Sequence, residues 1–129
     1  MTLGPLARVE LACHDTHRQR QFYQRVFGLD PAAGTGAPRF AVGGVELVLR
    51  PRGDALFPEA GTQRKPQQSE DAGVVLAFTV AEAELDRWHR RMLMARVAVL
   101  EAPGPGGSPP RRLRIADPEG HVIELFVSP

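Results

Sequence analysis

The chain has 129 residues, which is enough for one globular domain with a buried core. Hydrophobic residues make up 43% of it and charged residues 24%, a composition that excludes an intrinsically disordered chain. The formal net charge of +1, with both signs interspersed, gives no basis for nucleic acid or an acidic membrane surface as a partner. The single cysteine, Cys13, excludes an internal disulfide and suits a reducing compartment. Because no apolar run is long enough to span a membrane, we expect a soluble cytoplasmic protein.

The first half of the chain predicts a strand, a helix and further strands. Residues 7–13 alternate between apolar and polar, which is typical of a half-buried strand. Asp15 and Thr16 both offer N-cap oxygens to a helix that we expect to end near Gly28, after which the chain becomes extended again. Residues 39–51 contain two short apolar runs joined by a Gly-Gly pair at residues 43–44, which is the pattern of a β-hairpin.

The second half follows a stretch of different composition. Residues 50–72 are rich in Gly, Pro, Gln and charge, and they are expected to form a long loop or linker. A strand is predicted at residues 73–80, and residues 79–82 match a capping box that would start a second helix. Residues 104–110 are expected to be a turn or loop. Three more strands complete the pattern, at residues 97–103, 111–116 and 121–127, the last of them after a turn at residues 117–120.

The predicted order β-α-β-β-β therefore occurs twice. Module one covers about residues 6–51, the linker about residues 52–72, and module two about residues 73–128. Each module is too short to close a core of its own, so we expect the two to pair into a single domain over residues 1–129.

Two segments carry a recognisable pattern. FYQRVFGL at residues 22–29 begins seven residues after Asp15, and DPEGHVIEL occupies residues 117–125. Together with the repeated element order, they resemble the vicinal oxygen chelate superfamily, also called the glyoxalase/bleomycin resistance protein/dioxygenase family. The resemblance implies an α+β fold in which two tandem βαβββ modules form a cupped mixed sheet. It also implies a small-molecule ligand in the cup and a homodimer.

In the metal-dependent members of that superfamily, the inward-facing residues of each module's first and last strands hold a divalent ion. The last-strand positions fall on Glu46 and Glu124, whose carboxylates can ligate a cation. The first-strand positions fall on Arg8, seven residues before Asp15, and on Val75, and neither side chain can ligate one. We therefore expect no cofactor and no standard metal centre. The alternative is a divalent ion held by Glu46 and Glu124 with water.

Side-chain alternation along the strands extends the predicted site. Every second residue of a strand points to the same side. The residues two positions away from Arg8, Glu46, Val75 and Glu124 are therefore predicted to face the same side as these four. An apolar wall with a few converging charges is the usual composition of a small-molecule pocket. Alternation also places Arg112 and Arg114 on a common face, but it does not say which face. The predicted ligand-binding residues are Arg8, Glu10, Glu46, Val48, Arg50, Val75, Ala77, Thr79, Val122, Glu124 and Phe126.

Three functional hypotheses follow. The leading one is a member that binds a small molecule without a metal, as bleomycin-resistance members do, with an acidic group of the ligand near Arg8 or Arg50. The alternative is a divalent-metal-dependent lyase, isomerase or dioxygenase, in which Glu46 and Glu124 are the candidate metal ligands and catalytic residues. The third is an inert or regulatory domain whose cup is sealed by an ion cluster of Arg8, Glu46 and Glu124. Against all three stands the interpretation that both glutamates are solvated on an open sheet face.

Other notable side chains are expected to be structural. Cys13 is predicted to be a small buried hydrophobe. Tyr23 and Trp88 have the spacing of core residues on their helices, with the Tyr23 hydroxyl reaching outward. His121, directly after the predicted turn, is expected to point away from the side of Glu124.

Overall fold

The structure is a computed structural model, and it covers three stretches of the chain. Nearly all of the predicted linker (residues 52–72) and of the predicted loop (residues 104–110) lies outside them. Among the residues described, no helix combines the length and the apolar character needed to cross a membrane. The described residues are 1–52, 73–104 and 111–128.

The chain divides into two compact units, Met1–Gln63 and Arg64–Pro129. The predicted α+β class is confirmed, because the first unit contains a three-stranded sheet and the second a four-stranded sheet, each with an α-helix. The elements of the first unit are β1 (Arg8–Cys13), α1 (Thr16–Phe27), β2 (Arg39–Val42) and β3 (Val45–Pro51). Those of the second are β4 (Val75–Val80), a 3-10 turn (Glu82–Glu84), α2 (Leu85–Met94), β5 (Ala98–Glu101), β6 (Arg112–Ala116) and β7 (Val122–Val127).

The first unit has its strands in the order β1-β3-β2. β1 runs parallel to β3, and β3 pairs antiparallel with β2 through the predicted hairpin. The hairpin turn contains Gly43 at φ 59°, a left-handed conformation that glycine adopts without steric cost. α1 begins where predicted, because the Asp15 carboxylate accepts a hydrogen bond from the backbone N–H of Arg18 at 3.0 Å. The helix ends at Gly28, also as predicted, with φ 70°.

The core of the first unit lies between α1 and one face of the sheet. Tyr23 is fully buried, and its ring centroid lies 6.0 Å from that of Phe27 and 6.2 Å from that of Phe40. The prediction that the Tyr23 hydroxyl reaches outward is therefore wrong, because the side chain is enclosed in an aromatic cluster. Cys13 is fully buried, as predicted. The strand residues buried on the same side are Leu11, Phe40, Leu47 and Leu49.

The strand predicted directly after α1 is reduced to a single bridge. Pro31 pairs antiparallel with Phe40 and the ladder goes no further. Proline has no N–H with which to extend a ladder, and Gly34 and Gly36, at φ 130° and 103°, bend the chain after it. The first unit therefore has the order β-α-β-β with one bridge, which is one strand fewer than the predicted βαβββ module.

The second unit has the predicted β-α-β-β-β order. Its strands lie in the order β4-β7-β6-β5, with β4 parallel to β7 and the other two pairs antiparallel. α2 packs on the apolar side of the sheet through Leu85 and Met92, which are both fully buried. Burial of such side chains contributes about 25 cal/mol per Å² of apolar surface. The sheet residues buried on this side are Leu113, Ile115, Ile123 and Leu125.

The start of α2 differs from the predicted capping box. Thr79 lies inside β4, and the N-cap residue Glu84 makes no side-chain capping bond. Glu82 instead accepts a hydrogen bond from Arg111, which also donates to Asp86 at 3.0 Å. The Arg111 side chain is only 8% exposed, and the hydrogen bond to Glu82, with the negative charge of Asp86, raises the pKa of its guanidinium above the ordinary value. This buried arginine therefore fastens the start of α2 to the start of β6.

The turn before the last strand forms as predicted. The backbone N–H of Gly120 donates to the Asp117 carbonyl at 2.9 Å, and Gly120 has φ 91°. The buried Asp117 carboxylate accepts from the backbone N–H groups of Glu119 and His121, each at 2.9 Å, and from the His121 ring at 2.8 Å. This closed turn sets the register of β6 against β7.

Candidate functional site

One face of the first sheet carries charged side chains. Arg8 of β1 is in register with Glu46 of β3, and Glu10 is in register with Val48. Arg39 of β2 is also in register with Val48. Because residues in register on neighbouring strands share a face, this face lies opposite the buried leucines of the core. The first charged face, as we call it, consists of Arg8, Glu10, Arg39, Glu46, Val48 and Arg50.

Ion pairs on the first charged face differ from the expected contact of Arg8 with Glu46. Glu10 bridges two arginines, because its carboxylate oxygens lie 3.0 Å from Arg8 Nε and 3.3 Å from Arg50 Nε. Glu46 lies 3.5 Å from Arg39 Nη1 instead. These side chains are 37% to 58% exposed, so each pair contributes at most about 1 kcal/mol. Three arginines face two glutamates, which leaves this face with a net positive charge.

The second sheet brings the other predicted residues to one face. Ala77 of β4 is in register with Glu124 of β7, which is in register with Arg114 of β6. Because every second residue of a strand lies on the same side, alternation along each strand gives the remaining residues of this face. The registers answer the question that alternation left open, because Arg112 and Arg114 share the face of Glu124. The second charged face consists of Val75, Ala77, Thr79, Glu101, Arg112, Arg114, Val122, Glu124 and Phe126.

Two arginines and two glutamates form a continuous network on the second charged face. Arg114 Nε donates to Glu124 Oε1 at 2.7 Å, and Arg112 Nη1 lies 3.6 Å from the same oxygen. Arg112 also donates from Nε and Nη2 to the two oxygens of Glu101, at 2.9 and 3.2 Å. The side chains of Arg114 and Glu124 are only 16% and 14% exposed, so this pair is largely removed from water. Glu124 is therefore not a solvated carboxylate on an open sheet.

Glu101 gives a prediction for the pH dependence of stability. The hydrogen bond from Arg112, with the positive charges of Arg112 and Arg114, holds the pKa of Glu101 below its ordinary value of 4.5. A carboxylate with a lowered folded-state pKa adds stability above the ordinary value and loses it as the pH falls through the lowered one. Because Arg112 and Glu101 are 33% and 39% exposed, Glu101→Gln is expected to cost less than about 1 kcal/mol at neutral pH.

The cost of Glu101→Gln is expected to shrink as the pH falls through the lowered pKa of the wild-type carboxyl, because that carboxyl then becomes protonated and loses its charge. Urea unfolding of both proteins at neutral pH and over a series of acidic pH values measures the difference in free energy of unfolding. A difference that stays constant over the whole series would contradict the prediction.

Comparison of the sequence with known protein families shows which family the chain belongs to. The profile of the Glyoxalase/Bleomycin resistance protein/Dioxygenase superfamily matches residues 6–125. The chain belongs to this superfamily. This match confirms the resemblance predicted from residues 22–29 and 117–125. A separate comparison with curated proteins found no match.

Solved structures with the same fold share little sequence with this superfamily member. Fosfomycin resistance protein FosX from Listeria monocytogenes has a TM-score of 0.76 at 16% identity, with 99% of this chain and 96% of that chain covered. FosX from Mesorhizobium loti has a TM-score of 0.70 at 17% identity, with 100% and 95% covered. A glyoxalase-related enzyme from Fulvimarina pelagi has a TM-score of 0.74 at 22% identity, with 98% and 90% covered. At these identities, the likeness establishes the fold alone.

The positions that hold a metal in metal-dependent superfamily members do not suit one here. Val75 has no donor atom, and Arg8 is itself a cation. The Glu124 carboxylate is held by two guanidinium groups, and Glu46 lies beside Arg39. Among the described residues, no three His, Cys, Asp or Glu side chains lie close enough together to share a metal ion. A divalent ion at Glu124 would have to displace arginine side chains that already neutralise it.

Sequence reasoning missed the arginines that pair with the two glutamates. The contact of Arg39 with Glu46 could have been predicted from the sequence, because a hairpin that closes at residues 43–44 places β2 beside β3. His121 turns its ring towards Asp117 rather than towards Glu124.

Proposed function

We propose that this superfamily member binds a small molecule with an acidic group on its charged sheet faces, without a divalent ion. The observation that carries the proposal is the arginine contact with Glu124, at 2.7 Å from Arg114 and 3.6 Å from Arg112. This is the position where metal-dependent members have a ligand. Arginine supplies a permanent positive charge there, which opposes the binding of a divalent cation to the same carboxylate.

Arg8 and Arg50 are the proposed contacts for the acidic group. Their side chains are 58% and 50% exposed, so their guanidinium groups reach solvent, whereas the 16% exposed Arg114 is held by Glu124. A guanidinium pairs with a carboxylate or phosphonate through two parallel hydrogen bonds.

Calorimetric titration with small carboxylates and phosphonates, each matched by its neutral amide or ester, tests the proposal. We expect an acidic compound to bind and its neutral counterpart to bind weakly or not at all. Arg8→Met and Arg50→Met are each expected to weaken binding by about tenfold or more. Arg18→Met, at an exposed arginine of α1, is the matched control and is expected to leave binding unchanged. Equal losses in Arg18→Met and Arg50→Met, or no acidic binder at all, would count against the proposal.

Metal analysis of the purified protein separates this proposal from a metal-dependent lyase, isomerase or dioxygenase. Stoichiometric Ni, Zn, Mn or Fe that is lost in Glu124→Ala would overturn the metal-free proposal. Protein that binds the acidic compound equally well before and after treatment with a chelator would support it.

The proposal includes a single domain over residues 1–129, because each module is too short to close a core of its own, and a homodimer, which the superfamily resemblance implies. We expect one cooperative unfolding transition and a mass of two chains by light scattering.

A further inference from the structure

The C-terminal end of α2 carries two large apolar side chains that face solvent. Met94 is 86% exposed and Leu93 is 55% exposed, whereas Met92 beside them is fully buried. Arg90 is exposed on the same surface of the helix, because it precedes Leu93 and Met94 by three and four residues. Arg96, just beyond the helix, is also exposed. We call Arg90, Leu93, Met94 and Arg96 the α2 end.

Arg96 closes α2 in a backbone conformation that favours glycine. It is the one residue other than glycine with a positive φ among those described, at 57°. Its backbone N–H donates to the Leu93 carbonyl at 3.2 Å, and that of Val97 donates to the Met92 carbonyl at 2.9 Å, which is the hydrogen bonding of a Schellman motif. Glycine would adopt this conformation without steric cost, so arginine lowers the stability here. Backbone strain of this kind is typical of positions whose side chain has a function.

Neighbouring acids leave the positive charge of the α2 end in place. Within the stretches that the structure describes, neither Arg90 nor Arg96 forms an ion pair. Asp86, one turn before Arg90, is held by Arg111 at 3.0 Å. Glu84 lies ten residues before the last residue of the helix, or about 15 Å at 1.5 Å per residue. That separation exceeds the Debye length of about 8 Å at physiological ionic strength, so Glu84 has little effect there.

The net charge of the whole chain does not describe this surface. Residues 87–96 contain four arginines and no acid, a charge of +4 against +1 for the chain. One of the four, Arg91, lies 5.9 Å from the ring centroid of Trp88 and is not part of the α2 end. Trp88, which the sequence predicted to be a core residue, is only half-buried. The expectation that no acidic surface is a partner therefore holds for the average composition but not for this end of the helix.

We propose that the α2 end docks on an anionic lipid surface. Leu93 and Met94 insert between the lipid headgroups, while the guanidinium groups of Arg90 and Arg96 stay at headgroup level and pair with anionic oxygens. The end of a helix is convex, and a fluid lipid surface conforms to it, whereas a protein partner would need a matching apolar pocket. The proposal does not depend on the ligand of the charged faces, because none of these residues belongs to either face.

Co-sedimentation with lipid vesicles tests the proposal. The two probes are phosphatidylcholine vesicles with about 30% phosphatidylserine and vesicles of phosphatidylcholine alone. We expect saturable binding to the first and binding at least about tenfold weaker to the second. Raising the salt from about 0.1 M to about 0.5 M is expected to weaken the binding, because it screens the arginines from the lipid charge.

Single variants assign the binding to the α2 end. Arg90→Gln is expected to weaken binding about fivefold, which is what one arginine near an anionic lipid surface contributes. Leu93→Ser and Met94→Ser are each expected to weaken it by about the same factor, because they remove the inserted apolar surface. Arg18→Gln and Leu3→Ser are the matched controls, since they remove an exposed arginine and a 99% exposed leucine of the first unit. Both are expected to bind like the wild type.

Arg96→Gly separates a loss of binding from a loss of folding. Glycine relieves the strain at φ 57°, so the variant is expected to have a higher unfolding midpoint than the wild type. The same substitution removes one cationic side chain, and we expect it to weaken vesicle binding about fivefold. Urea unfolding and co-sedimentation of the same preparation measure the two effects. A more stable variant that binds as tightly as the wild type would show that Arg96 does not contact lipid.

Equal binding to vesicles with and without phosphatidylserine would overturn the proposal, and so would equal losses in Leu3→Ser and Leu93→Ser. Binding of poly-glutamate but not of vesicles would assign the α2 end to an acidic protein segment instead. Loss of vesicle binding in Arg50→Met but not in Arg90→Gln would place the lipid headgroup on the first charged face. Each of these results leaves the small-molecule titration of the charged faces as a separate test.

Discussion

Asp117→Ala is expected to lower the free energy of unfolding by about 2–4 kcal/mol. The Asp117 side chain is fully buried and accepts hydrogen bonds from the backbone N–H groups of Glu119 and His121 and from the His121 ring. Alanine removes the acceptor and leaves these donors inside the turn that joins β6 to β7, where unsatisfied groups are costly. Urea unfolding followed by circular dichroism measures the loss.

Asp117→Asn is the matched control for this turn. Its amide oxygen can still accept from the two backbone N–H groups, but the amide lacks the negative charge that faces the His121 ring. We expect it to lose less than half as much stability as Asp117→Ala. An alanine variant as stable as the wild type would show that water replaces the carboxylate, and the turn would then not depend on Asp117.

Signals that act over a few residues predicted their elements correctly. Asp15 caps α1, Gly28 ends it, and Gly43 turns the hairpin, because each acts through its own backbone or one nearby N–H group. Alternation predicted correctly which residues share a face within β1, β3, β4 and β7, since the two-residue period of a strand is independent of the rest of the fold. Which ligand, if any, these faces bind stays a prediction.

Alternation alone does not predict on which face of the sheet the arginines of β6 lie. A turn closed between Asp117 and His121 pairs residues whose numbers are equidistant from it, so Arg114 must lie opposite Glu124. The sequence contained this information in the DPEG turn followed by a strand. Alternation within β6 alone does not contain it, because the turn sets the register between the two strands.

Contacts between distant residues could not be predicted in the same way. The threonine and glutamate at residues 79 and 82 match a capping box, but Arg111, 29 residues further along the chain, binds Glu82 instead. A local pattern contains no information on that arginine, and the helix starts one short 3-10 turn later than the pattern predicts. Arg8 forms an ion pair with Glu10 rather than with Glu46, and this pairing likewise depends on how long, flexible side chains pack.

Removing the Glu124 carboxylate is the second change with a large expected effect. Arg114 would lose the carboxylate that faces it at 2.7 Å, while its own side chain remains only 16% exposed. Breaking a largely buried pair by deleting one partner is strongly destabilising, and with the remaining exposure we expect Glu124→Ala to cost about 2–4 kcal/mol. Urea unfolding at neutral pH measures this cost.

The double variant Arg114→Met/Glu124→Met is the control for the pair itself. Two apolar side chains of similar length replace the two charges, so we expect its stability to lie within about 1 kcal/mol of the wild type. The single variants are then non-additive, and the double-mutant cycle gives the coupling energy between the two side chains. A double variant as unstable as the sum of the single variants would show that the pair is not the source of the effect.

If Glu124 were a metal ligand, the wild type and Glu124→Ala would respond differently to a chelator. A metal bound only by the folded state stabilises it by mass action, so a chelator would lower the unfolding midpoint of the wild type and leave Glu124→Ala unchanged. If arginine holds the carboxylate, the chelator changes neither protein, and the difference between them stays constant. Since Arg112 and Arg114 already neutralise Glu124, we expect the second result. The last-strand glutamate of this superfamily member would then act as one end of an ion pair that positions two arginines on the sheet.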